Sequence, residues 1–186
     1  MRTSTSPRRR RVVICGFGNV VRVDDGAGPL AVQSLGRIAS GRAATLIGQQ
    51  LLPEWSAALA EADIAYFVDA SFDPQITRFR VTPIGVTSTS RLADPHFLGP
   101  AKILGLTASV YHHVPKAYMV EIAARDFGFG QELSPCSQTA VRRVTRWLRA
   151  RLSRRGRSVG GRSGPKPRRL AVVSRDGSHF CLFPKV

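Results

Sequence analysis

A chain of 186 residues, 43% of them hydrophobic, is the size of one domain with a real core, and no run of 18 apolar residues offers a membrane span. The formal net charge of +16 invites a nucleic-acid partner, but residues 2–11 hold five arginines and residues 149–186 hold eleven basic residues and one acid. Residues 12–148 carry 12 basic and 11 acidic residues and no recognition motif, so no specific nucleic-acid partner is expected.

Composition divides the chain into a basic, disordered N-terminal extension (1–11), an α/β domain (12–152) and a basic low-complexity tail (153–186). The apolar start of the domain is broken by glycines, Asn19 and Arg22, and no small-residue cleavage site follows, which argues against an export signal. Cys15, Cys136 and Cys181 show no zinc or CxxC spacing and read as reduced thiols of a cytoplasmic protein.

Taken in chain order, the β-branched run 11–15 reads as a strand buried on both faces. A helix begins between Asp25 and Pro29, with Leu30, Val32 and Leu35 as its apolar positions. Residues 43–48 form a second strand, 52–62 a helix opened by proline, and 64–70 a third strand ending at Asp69. The alternation over 77–84 suits an edge strand, and 85–95 is loop. A helix over 97–113, a last strand over 116–123, a loop over 127–135 and an amphipathic helix over 137–152 complete the domain. The last helix lines Ala140, Val141, Val144, Trp147, Leu148 and Leu152 along one face. The run 170–174 has a strand-like composition that the pattern does not call for. Strands alternating with helices predict an α/β fold: a twisted, mainly parallel sheet of about five strands with helices on both faces.

In such sheets the working crevice lies beyond the carboxyl ends of the strands. The first strand delivers Asp24 and Asp25 to that edge and the third delivers Asp69. The turn "CGFGNVVRVDDGAG" is not a phosphate cradle. Val21 stands where GxGxxG needs glycine, no Walker lysine follows, and two acids crowd the helix start. Its glycines suit a tight turn, with Asn19 bonding across it. Asp24 and Asp25 each have an ordinary reading as first-turn acids, and Asp69 as a loop cap. Together, acids at one edge repel each other and a cation relieves them. Among the four histidines, His96 precedes the helix that leads back to the sheet, whereas His112 and His113 lie at that helix's far end and His179 in the basic tail. From pattern alone His96 reads equally as a surface-loop residue. No HExxH or Ser/His/Asp motif is present, and Cys15, inside a buried strand, is a poor nucleophile.

Four stretches, "GFGNVVRVDDGAGPLAV", "FVDAS", "HFLGPAKILGL" and "FGFGQELSP" with the helix after it, resemble the hydrogenase maturation proteases over roughly residues 12–150. The resemblance implies an aspartic-type endopeptidase that removes the C-terminal extension of a nickel–iron hydrogenase large-subunit precursor after nickel insertion. It implies Asp25, Asp69 and His96 as metal ligands, with Gly16, Gly18, Asn19, Asp24 and Gly26 supporting the turn. The catalytic group stays unassigned. The metal is then nickel already seated in the substrate, with zinc or another divalent ion binding in vitro. Aspartate replaces the glutamate often found at position 25, and the tail matches nothing in the family. The alternative is a non-cleaving metal-binding chaperone or sensor of the same fold.

Overall fold

The computed structural model describes residues 10–36, 43–86 and 98–153. These fall within a single compact unit that ends at Arg155. His96, His179, Cys181, the run 170–174 and nearly all of both basic ends lie outside the described residues.

The elements run β1 (Val12–Phe17), a 3-10 turn (Val23–Gly26), α1 (Ala27–Gln33), β2 (Ala44–Gly48), α2 (Trp55–Glu61), β3 (Ile64–Ser71), β4 (Phe79–Ile84), α3 (Pro100–Tyr111), β5 (Lys116–Ala123) and α4 (Pro135–Ser153). The sheet order is β2-β1-β3-β5-β4. β1 pairs in parallel with β2 and β3, β3 pairs in parallel with β5, and β4 closes the edge antiparallel to β5. The expected five-stranded, mainly parallel sheet is therefore present, with its edge strand at 79–84.

Strand periodicity splits the core in two. Ile14, Tyr66 and Val68 point to the face covered by α1 and α4, where Val32, Leu35, Val144 and Leu148 meet them. Val13, Cys15 and Phe67 point to the opposite face, against Trp55 and Leu59 of α2 and Ile103 and Leu104 of α3. Trp147 belongs to the apolar face of α4 but is only partly buried. It stands edge-on to Tyr66 at 5.6 Å, and Arg151 covers its outer side at 4.6 Å.

β1 runs two residues beyond the expected end. Gly16 still pairs with Ile47 and Val68 because α1 lies directly on it: a Cβ there would come within 2.7 Å of the Gly28 carbonyl and of Val32. The helix expected over 52–62 forms fully only from Trp55, after a turn at Pro53 and Glu54.

The chain leaves β1 towards β2 and then returns across β1 to β3. The gap between β1 and β3 is thus the topological switch point of the sheet. α3 ends at Tyr111 and feeds β5 at Lys116, so its C-terminus lies at the amino edge of the parallel strands. Twelve residues, about 18 Å of helix, carry its N-terminus back towards the carboxyl edge.

Candidate active site at the switch point

The turn after β1 is built by backbone geometry. Gly18 has φ 134°, and a Cβ there would collide with the Asp25 carbonyl. Its N–H is shared between the carbonyls of Gly48 and Gln49, at 3.3 and 3.2 Å, which ties the turn to the end of β2. Asn19 bonds across the turn as expected, its Oδ1 accepting from the Val21 N–H at 3.1 Å. Its own N–H donates to Asp25 Oδ2 at 2.9 Å and aims that carboxylate back over the turn. Gly26 closes the 3-10 turn and is buried.

Asp24 and Asp25 are adjacent but differ in environment. Asp24 is fully buried and caps no helix. It accepts from the N–H groups of Arg125, Asp126 and Ser134 at 2.8, 3.0 and 2.8 Å and from the Ser134 hydroxyl at 2.8 Å. Burial pushes its pKa up, but these bonds to the ionised form outweigh burial and hold it below the usual carboxylate value. Asp24 is therefore the pin that fastens the loop after β5 to the turn after β1. Arg22 adds a second fastening, with Nε and Nη2 donating to the Phe127 carbonyl at 3.2 and 3.0 Å.

Asp25 and Asp69 come together at the switch point. β3 runs to Ser71, so Asp69 lies two residues inside the strand rather than at its end, on the sheet face covered by α2 and α3; its Oδ1 accepts only from the next N–H, that of Ala70, at 2.8 Å among the described residues. Burial raises its pKa well above the usual value, and the charges of Asp25 and Glu121 raise it further. A half-buried carboxylate beside two others, with no cation on it among the described residues, is the environment a metal ion relieves. Two carboxylates are not a complete site: among the described residues no group of three His, Cys, Asp or Glu side chains is spaced to hold a metal. The third ligand expected from sequence, His96, precedes α3 by four residues in the chain and lies outside the described residues. His112 caps the far end of α3 with φ 53°, at the amino edge, away from the acids.

Two charged residues that sequence reading passed over continue the row from Asp69 across the sheet. Glu121 is its register partner on β5, and Arg80 on β4 is the register partner of Glu121. Arg80 Nε and Nη2 each donate to one Glu121 oxygen at 2.8 Å, and Nη1 donates to Asp73 Oδ2 at 2.8 Å. Apolar side chains are exposed on the connections that follow the parallel strands: Val20, Val21, Leu52 and Phe72, with Phe129 92% exposed in the pinned loop. Cys15 is buried, and burial pushes its thiol up to about 12, which removes it as a nucleophile. Among the described residues no helix is long and apolar enough to cross a membrane.

Solved structures share this fold. The NiFe hydrogenase maturation protease HycI from Thermococcus kodakarensis superposes with a TM-score of 0.63 at 20% identity, over 79% of this chain and 95% of its own. The hydrogenase maturating endopeptidase HybD from E. coli superposes with a TM-score of 0.63 at 19% identity, over 78% of this chain and 94% of its own. An Escherichia coli endopeptidase solved in solution superposes at 0.61, with 20% identity and coverage of 78% and 94%. No protein-family model and no curated sequence matches the chain. The class that the fold defines is thus the α/β architecture of the hydrogenase maturation proteases. Within that architecture this chain carries an aspartate pair, Asp25 and Asp69, at the switch point.

Proposed function

We propose that this protein is an endopeptidase that removes the C-terminal extension of a nickel–iron hydrogenase large-subunit precursor once nickel is in place. The observation that carries the reading is the meeting of Asp25 and Asp69 at the switch point. Asp69 is held there without a compensating cation among the described residues. Such a pair suits a metal presented by a substrate. Asp25 and Asp69 supply two hard oxygen donors, and His96, on the connection entering α3, supplies the imidazole. The nickel is cargo of the precursor, so its arrival orients the precursor against the turn at Gly18 and Asn19. The exposed apolar side chains of Val20, Val21, Phe72 and Phe129 support a macromolecular substrate, since a small metabolite needs no aromatic platform outside its crevice.

The test is incubation of the purified protein with nickel-loaded and nickel-free precursor, followed on a gel. Shortening of the loaded precursor alone supports the reading. Tight association without shortening moves the protein to the non-cleaving chaperone or sensor class.

A further inference from the structure

Glu121 is the unexplained acid of this crevice. It shares a sheet face with Asp69, directly opposite it across β3 and β5. Its side chain is only 13% exposed. Its backbone position on β5 is level with that of Asp69 on β3. Both of its oxygens are nevertheless committed to one guanidinium, and Oε1 also lies 3.5 Å from the Ser71 hydroxyl. The remaining arm of Arg80 is held by Asp73, whose Oδ1 in turn accepts from the Gln75 N–H at 2.9 Å. A guanidinium bound on both its edges cannot swing away cheaply.

The chemistry of this arrangement is specific. Three free carboxylates around one crevice would bind any divalent ion that reached it. With Glu121 clamped, two remain, and among the described residues no group of three acids, histidines or cysteines is spaced to hold a metal. On the reading of the site given above, we infer that Arg80 is a positioning residue that withholds Glu121 from the metal and so keeps the affinity for free divalent ions low. The crevice then stays available for a metal delivered inside a substrate. A clamp serving only to stitch β4 to β5 would contribute to stability and leave metal affinity where it was.

Titration of the full chain with nickel(II) and with zinc(II), by calorimetry at fixed pH and with circular dichroism as the check on folding, separates these roles. Arg80→Gln should bind both ions more tightly than the unaltered protein, by about tenfold or more. Adding Glu121→Gln to it should remove that gain. Arg80→Gln with Asp73→Asn relieves the repulsion left between Asp73 and Glu121, and serves if the single variant does not fold; it should show the same tightening. Equal or weaker binding in a folded Arg80 variant overturns the clamp, as does a gain that survives Glu121→Gln. Precursor cleavage by the unaltered protein is scored separately. Cleavage without tightening in the variants overturns the clamp alone, and tightening without cleavage overturns the endopeptidase reading alone.

Discussion

Asp69 and Glu121 stand opposite each other across β3 and β5, and among the described residues only Glu121 has a cation to balance it. The sheet thus separates two half-buried carboxylates into one that is spent and one that is available. Asp69 destabilises the folded chain to the extent that it must ionise. Its folded pKa lies well above 3.8, through burial first and then through Asp25 and Glu121. Below about pH 3.8 both folded and unfolded states hold the proton, and the group contributes nothing. As pH rises, the unfolded chain ionises first and stability is lost until the folded pKa is passed. Asp69→Asn should therefore be more stable than the unaltered protein at neutral pH in the presence of chelator. The difference should vanish in acid. Denaturant melts across the pH range test both the sign and the trend.

Asp24 should behave in the opposite sense. Its folded pKa is lowered, so its contribution is present above the unfolded value of 3.8 and is lost as pH falls through the folded one. Asp24→Asn replaces an acceptor of several N–H groups with a group that is half donor. It should cost about 3 kcal/mol in urea unfolding at neutral pH. Faster hydrogen exchange over residues 125–134 should accompany the loss.

Much of this was legible in the sequence, and the boundary has physical causes. Period and composition place the strands and helices, because each buries one face or both. Periodicity says nothing of which strands become neighbours, so the pairing of Asp69 with Glu121 and of Glu121 with Arg80 was beyond it. The only local hint was a charged residue inside the apolar run of β5. Asp24 was legible as an acid of the turn but not as a pin, since its partners lie about a hundred residues away. The glycines of the turn were legible in kind. At Gly28, within the same motif, the reason is tertiary: a Cβ would strike the carbonyls of Val68 and Phe17.

Gly18→Ala tests the turn. The residue has φ 134° and no room beside the Asp25 carbonyl, so the substitution is both strained and crowded. It should cost about 1–3 kcal/mol of stability. Cleavage should fall further than stability does, because Asp25 moves with the turn. Activity measured well below the melting temperature distinguishes displacement from unfolding.

Trp147→Ala tests the docking of α4. Full burial would put the cost in the range of about 3–5 kcal/mol. Partial burial, with Arg151 covering the outer face, places it nearer 2–3 kcal/mol. A thermal or urea melt of the variant reads this directly, and an unchanged curve would mean that the ring does not pack on Tyr66.

The most direct measurement is single-turnover cleavage of nickel-loaded precursor by the unaltered protein, Asp25→Asn and Asp69→Asn, with nickel-free precursor as the control. The unaltered protein should shorten the loaded precursor and leave the nickel-free one intact. Both variants should remain folded and lose cleavage by about a hundredfold or more, as loss of a positioned metal contact does. Cleavage of both precursors alike, or full activity in folded Asp25→Asn and Asp69→Asn, would contradict a nickel-reading carboxylate pair at the switch point.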